Sequence, residues 1–166
     1  MNRRGVSPVV ATVLLLVLTV VIGGIIFSVV VPFVKNSLQE SKTCLAVFEG
    51  VEFPESKFNC YKSAGAGFET GFSIKLNKEE ISGFRVALID RNGNSEVKNI
   101  PGTFIDVKMV GGSYNTLLEF PTVGGQRSYV INRLYSKAEV SPISKSGDVC
   151  AIADVVEFAP CVDVVF

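Results

Sequence analysis

Four cysteines offer the clearest side-chain chemistry in this chain, because thiols form disulfides and bind metals. They are Cys44, Cys60, Cys150 and Cys161. Of the three possible pairings, we expect Cys44–Cys60 and Cys150–Cys161, because each bond closes a short loop and stabilises the fold by about 3 kcal/mol. A cross-pairing such as Cys44–Cys161 stays open. The cysteines form no CxxC pair and the chain has no His, so neither zinc nor another cofactor is expected.

Two polar segments have spacings that resemble functional motifs, but each lacks part of the motif. Residues 90–96 space oxygen ligands by two, as in half of a calcium loop, but the glycine is misplaced and the distal Glu is missing. A hairpin turn at Asn92-Gly93 explains this segment better. Residues 141–145 resemble a Ser/Lys catalytic motif with a wrong spacing, and a loop is the better interpretation. Since His, the commonest general base, is also missing, we do not expect an enzyme.

Charge and hydropathy direct attention to a membrane rather than to nucleic acid. The 16 basic and 16 acidic residues cancel, so nothing indicates a nucleic-acid partner. Apolar residues make up 48% of the chain, and the mean hydropathy is +0.39. These values are high for a plain soluble domain and favour a membrane segment.

That segment lies near the N-terminus. Residues 9–31 hold 17 Val, Leu, Ile and Phe residues, and no charge occurs from Gly5 to Val34. About 20 such residues span a bilayer as a helix, and their insertion is favoured by about 5–10 kcal/mol. Arg3 and Arg4 precede the segment and should keep that end in the cytoplasm. The rest of the chain, with all four cysteines, is then expected outside, where disulfides form.

The apolar segment fits a conventional secretory signal poorly. Such a signal has an apolar region of about 7–15 residues followed by an A-x-A-like site. Here the apolar region is far longer, and Lys35, Asn36 and Ser37 follow it. An uncleaved signal anchor fits the hydropathy equally well and stays open on this ground alone.

The residues around the start of the segment favour a different kind of processing. Arg3-Arg4-Gly5 is followed by Val6-Ser7-Pro8 and a long aliphatic run. This order resembles the N-terminus of archaeal type IV pilins, which carry a class III signal peptide. Bacterial pilins have a Glu at the fifth mature position, where this chain has Val10, and archaeal pilins commonly lack that Glu too.

The resemblance implies that prepilin peptidase cuts between Gly5 and Val6, so that residues 1–5 are the signal peptide. Arg3, Arg4, Ser7 and Pro8 would be recognised around the cut. Pro8 is well tolerated in a first helical turn and Ser7 can cap that helix.

The hydrophobic helix, residues 6–38, is expected to lie in lipid first and in a filament core afterwards. Its partners would be membrane lipid, the prepilin peptidase and pilus assembly machinery, and finally other copies of the same chain. Gly23 and Gly24 would allow close helix packing or weaken the helix. Pro32 is expected to bend it, because its ring blocks the hydrogen bond to the carbonyl of Ser28.

The remaining residues, 39–166, read as an extracellular β-rich head. Alternating apolar and polar residues predict short strands separated by glycine-containing turns. The strands are expected at residues 45–53, 72–77, 84–89, 114–120, 128–134 and 149–158. The fold class is therefore α+β, with a long N-terminal hydrophobic helix and an all-β, sandwich-like (Ig-like) head.

Two functions follow from this organisation. The first is a structural subunit of an archaeal type IV pilus-like surface filament, used for adhesion: a membrane precursor that becomes part of an extracellular polymer. The alternative is a membrane-anchored monomer whose exported β domain binds a ligand or an envelope component.

Overall fold

A computed structural model of the chain describes residues 8–65 and 67–166, except for the side chains of residues 36–41. Within these residues the chain has one long apolar helix followed by an all-β head, which is the predicted α+β class. It divides into two compact units, Met1–Lys42 and Thr43–Phe166. The predicted boundary after residue 38 lies inside the helix, four residues before the division between the units.

The helix, α1, spans Pro8–Val47 and so extends nine residues beyond the predicted end at residue 38. That end was placed where the apolar run stops, but the polar residues that follow, such as Gln39 and Glu40, are good helix formers. The helix ends where Glu49 takes a left-handed conformation, with φ of 56°. The prediction of a strand across residues 45–53 is therefore wrong for its first half.

Within its described residues, 43–65 and 67–166, the head contains twelve strands, several of them very short. Their bounds are β1 Val51–Glu52, β2 Cys60–Ala64, β3 Gly67–Leu76, β4 Ile81–Ile89, β5 Ser95–Ile100, β6 Gly102–Thr103, β7 Val107–Met109, β8 Leu117–Leu118, β9 Gln126–Ile131, β10 Lys137–Ser144, β11 Asp154–Glu157 and β12 Ala159–Pro160.

These strands form two main sheets and one small one. The first sheet has the order β12-β2-β3-β9-β7, with β1 also paired to β3, and the second has the order β11-β10-β4-β5. Strands β6 and β8 form the small sheet. Strand β12 runs parallel to β2, while neighbours such as β3 and β9 or β10 and β4 are antiparallel.

One hydrophobic core joins the two main sheets. Phe72 of β3 stacks on Tyr129 of β9 with ring centroids 5.4 Å apart. Phe84 of β4, in the other sheet, meets the same Tyr129 ring edge-on at 5.9 Å. All three side chains are buried, and the Tyr129 hydroxyl donates to the Glu119 carbonyl at 2.6 Å. The tyrosine therefore fills the core without leaving its hydroxyl unpaired.

Three predicted strands fall on observed ones, and others do not. Residues 72–77, 84–89 and 128–134 coincide largely with β3, β4 and β9. Residues 114–120 and 149–158 contain only the short β8 and β11. Strand β10 was not predicted, and the loop expected at residues 141–145 is wrong for residues 141–144, which belong to this strand. Pro142 is tolerated because β10 pairs with β11 only as far as Val140, and beyond it pairs mainly with β4.

The predicted disulfide pairing is wrong. The bonds are Cys44–Cys150 and Cys60–Cys161, with Cα atoms 5.3 and 5.0 Å apart. Cys60 lies in β2 opposite Ala159 of β12, which brings Cys161 beside it. Short loop length describes how often two thiols meet in the unfolded chain, whereas the fold itself determines which thiols are neighbours.

Candidate membrane and assembly segment

The candidate functional segment is the apolar part of α1, Pro8–Lys35. It has 28 residues, and its most apolar 18-residue stretch has a mean hydropathy of 3.0 and no part buried within the chain. At 1.5 Å per residue it is about 42 Å long, which exceeds the roughly 30 Å of a bilayer's hydrocarbon core. By length and composition this segment can cross a membrane, and a signal sequence would have the same properties.

Apolar side chains cover this segment on every side. Their exposed fractions run from 38% at Val31 to 74% at Val20. A helix on the surface of a soluble protein normally buries one apolar face and shows a polar one. Because every face here is apolar and open, the segment requires an apolar environment that the chain itself does not provide.

The few hydroxyl groups in the segment are paired within the helix. Thr12 donates to the carbonyl of Val9 at 2.9 Å, and Thr19 donates to the carbonyl of Leu16 at 2.8 Å. Ser28 donates to the carbonyl of Ile25 at 3.0 Å. Lipid offers no partner to a free hydroxyl. This backbone pairing therefore lets all three polar residues lie in hydrocarbon.

Gly23 and Gly24 lie in the middle of the segment. A Cβ atom added at either position would meet no atom within 4 Å. Each glycine costs a helix about 1 kcal/mol relative to alanine. No contact of the described residues requires glycine at either position. A second helix packed closely at this point would require a residue without a side chain.

Pro32 lies inside α1, and the helix continues on both sides of it. Its ring nitrogen has no hydrogen to donate to the Ser28 carbonyl. The predicted bend at Pro32 stays a prediction. The predicted cleavage residues and most of their flank, Arg3, Arg4, Gly5, Val6 and Ser7, lie outside the described residues, and Pro8 is the first residue of α1.

The last turn of α1 belongs to the head and is held there in three ways. Cys44 is bonded to Cys150, and the Val47 side chain is fully buried in the head core. The Lys78 ammonium donates to the carbonyls of Ala46 and Phe48 at 3.0 and 2.7 Å. The last turn carries no basic residue of its own, so Lys78 supplies the positive charge that favours a helix C-terminus.

A cluster of charged side chains surrounds the edge strand β5 of the head. Lys98 points inward from the edge strand β5 and is only 8% exposed. Its ammonium lies 2.8 Å from Asp106 and 2.6 Å from Glu96. Glu96 also accepts hydrogen bonds from Arg133 and from the hydroxyl of Tyr135. Inward-pointing charges on an edge strand discourage pairing with another sheet.

This cluster changes the acidity of its members in the direction expected for a paired network. Hydrogen bonds from Lys98 and then from Tyr135 hold the pKa of Glu96 below its usual value. Burial, followed by the bond to Glu96, raises the pKa of Tyr135. Each charge has a partner, so we interpret the cluster as structural.

The polar turn after β4 is a hairpin, as the sequence indicated. Asp90 Oδ1 accepts the backbone N–H groups of Asn92 and Asn94 at 2.7 and 2.9 Å. Gly93 has a φ of 84°, which favours glycine.

Across residues 8–65 and 67–166, no group of three or more His, Cys, Asp or Glu side chains is placed to hold a metal ion.

Sequence reasoning found the apolar segment but missed the contacts that hold its end. Lys78 is more than thirty positions from Ala46, and no local pattern links the two.

Comparison with known proteins adds no relative: no protein-family model matches the chain, and neither a curated protein nor a solved structure is similar to it.

Proposed function

We propose that the chain is a structural subunit of an archaeal type IV pilus-like surface filament, with a role in adhesion. The proposal depends chiefly on one observation: the 28-residue segment of α1 is apolar on all sides, and its most apolar stretch has no burial within the chain. Residues 1–5 are removed by prepilin peptidase, and residues 6–38 then act first in lipid and later between subunits.

The exchange of lipid for other helices is energetically accessible. Lipid tails and Leu side chains are about equally apolar, so transfer between them is close to neutral, and close packing decides association. Gly23 and Gly24 have no side chains, and no other atom lies within 4 Å of the place where a Cβ atom would stand at either position. A neighbouring helix could therefore approach the backbone closely here. When each subunit makes this contact with the next and the series of subunits does not close into a ring, the product is a helical filament.

The head is suited to the outside of the cell. Its two disulfides are of a kind that persists in oxidising surroundings. Arg3 and Arg4 favour the orientation that exports the head. Both features fit a subunit that is anchored first and exposed at the surface afterwards.

Sequencing the mature N-terminus tests the processing step. The full chain is expressed in an archaeal host that has a prepilin peptidase, and the first residue is expected to be Val6. Gly5→Val should leave the full-length N-terminus in place, because it enlarges the residue at the cut. Gly24→Ala, a comparable change of a glycine within α1, should be processed normally. A wild-type chain that keeps Met1 would contradict the proposal.

Electron microscopy of sheared surface material tests polymerisation. Filaments that contain the processed chain support the proposal. Processed chain that stays in the membrane as a monomer would favour the alternative, an anchored β domain that binds a ligand or an envelope component. The segment Pro8–Lys35 is long enough to serve as such an anchor.

A further inference from the structure

The two disulfides are interlaced along the chain. The first cysteine bonds the third and the second bonds the fourth, with sequence separations of 106 and 101 residues. Each cysteine also has a much nearer neighbour that it does not bond. Cys44 and Cys60 are 16 positions apart, and Cys150 and Cys161 are 11 positions apart.

An unfolded chain favours those near neighbours. The probability that two ends of a flexible loop meet falls roughly as the three-halves power of loop length. With separations of 16 and 106, Cys44 therefore meets Cys60 about 17-fold more often than it meets Cys150. By the same reasoning Cys161 meets Cys150 about 28-fold more often than Cys60.

Export adds a second bias in the same direction. In the outward orientation of the proposed function, on which this step rests, residues nearest the membrane segment are made and translocated first. Cys44 and Cys60 are then both outside while Cys150 has not yet arrived. During that interval Cys60 is the partner that Cys44 can reach.

The finished fold offers little opportunity to correct a wrong bond. Cys60 and Cys150 are 5% and 9% exposed, and Cys44 and Cys161 are half-buried. Thiol–disulfide exchange requires an accessible sulfur for the attacking thiolate. A wrong bond must therefore be exchanged before the two sheets close over it.

We infer that the chain is a substrate of a thiol–disulfide isomerase, which converts local Cys44–Cys60 and Cys150–Cys161 bonds into the interlaced pair. The first bonds form by exchange with a disulfide donor, which is reduced to a dithiol as each pair of cysteines is oxidised. The isomerase thiolate then attacks Cys44 in the Cys44–Cys60 bond. A mixed disulfide forms and Cys60 leaves as a thiolate.

The mixed disulfide is resolved by the native partner. A thiolate of Cys150, released from Cys161 in the same way, attacks the Cys44 sulfur and expels the isomerase thiolate. Cys60 and Cys161 pair by the same two steps. The number of disulfides is unchanged throughout, so the rearrangement needs no net oxidant.

Oxidative refolding of the full chain tests the inference. The chain is reduced and unfolded, transferred into detergent and oxidised in a mixture of oxidised and reduced glutathione, which keeps part of the isomerase in its thiolate form, either without or with protein disulfide isomerase. Samples are alkylated at intervals, and disulfide-linked peptides are quantified by mass spectrometry. In the glutathione mixture without isomerase we expect local bonds to exceed native ones by about tenfold in the earliest samples. Isomerase should raise the yield of native bonds several-fold.

A double variant provides the matched control. Cys60→Ser/Cys161→Ser keeps only Cys44 and Cys150, which have no local competitor. We expect its bond to form to the same extent with and without isomerase. Because peptides are mapped after alkylation and digestion, this readout does not require the variant to fold.

Two results would overturn the inference: native bonds that equal or exceed local ones in the earliest samples, or a double variant that depends on isomerase as strongly as the wild type. Neither readout involves processing at Gly5 or filament formation. A failure of the proposed function would therefore be recognised separately, by N-terminal sequencing and microscopy.

Discussion

The apolar segment of α1 and the head core are built from the same residue types but use them in opposite ways. Phe27 in the segment is 73% exposed, whereas Phe72 in the head is 1% exposed. The head hides its apolar side chains between two sheets, and the segment presents them outward on every side. The head therefore buries its apolar side chains as a domain in water does, whereas the segment needs an apolar environment from outside the chain.

Hydroxyl groups follow the same division. Thr12 and its counterparts in the segment bond to their own helix backbone. In the head, the hydroxyl of Ser73 bonds to Ser56 and Ser128 at 2.9 and 2.7 Å. A helix in lipid must satisfy its polar groups internally, while a folded domain can satisfy them across strands.

The largest effect should come from cutting the bond between the helix end and the rest of the head. Because Cys60–Cys161 stays closed, Cys44–Cys150 constrains an unfolded path of only about 27 residues, 16 from Cys44 to Cys60 and 11 from Cys161 to Cys150. Cys44→Ser/Cys150→Ser should therefore lower the free energy of unfolding by about 3–4 kcal/mol. Urea unfolding in detergent, followed by tyrosine fluorescence, measures this loss. Cys60→Ser/Cys161→Ser should lose a similar amount. A loss below about 1 kcal/mol would show that neither bond constrains the unfolded chain as expected.

The pair of phenylalanines tests the comparison most directly. Phe72→Ala should destabilise the head by about 3 kcal/mol, because it leaves a cavity against Tyr129. Phe27→Ala removes the same atoms from an exposed position and should leave head unfolding unchanged. The same urea titration measures both variants. Equal losses would mean that the two regions are not independent in the way described.

A charge in the middle of the segment should affect insertion alone. Leu18→Arg replaces a 59% exposed side chain and should disfavour membrane insertion by about 3 kcal/mol. The measurement is the fraction of chain that remains with membranes after carbonate washing, with Leu18→Ile as the control. Head stability in detergent should not change, and a large change there would contradict the separation of roles.

The smallest expected effect concerns the charge cluster around Glu96. Its pKa is held below the ordinary value of 4.5 by bonds from Lys98 and Tyr135. Its contribution to stability is therefore present above pH 4.5 and is lost as the pH falls through the lower, folded-state pKa. Because the side chain is partly exposed, Glu96→Gln should cost less than about 1 kcal/mol at pH 7.

The difference between wild type and Glu96→Gln should shrink when unfolding is measured at successively lower pH. Glu79→Gln changes an exposed glutamate between β3 and β4 and serves as the control. A difference that stays constant down to pH 2 would show that ionisation of Glu96 does not stabilise the head.

Hydropathy was sufficient to predict the apolar segment, and alternation was sufficient for strands such as β3 and β4. Both signals are local, and each depends on residues a few positions apart. The end of α1 was not predictable in this way, because it depends on Lys78 and on burial of Val47 in a core that forms elsewhere. The disulfide partners were missed for the same reason, since β12 comes beside β2 only in the folded head.

The interlaced bonds also set how far the head can be stretched. Consider a force that pulls Cys44 and Cys161 apart. The shortest covalent path between them crosses the Cys44–Cys150 bond and then follows the 11 residues 151–161. These residues can extend to about 40 Å at most. In the reduced protein the same pull would draw out 117 residues, or about 420 Å. Residues 61–149 therefore carry no tension along this route while both bonds are intact. Loss of one bond still leaves the other to limit the extension.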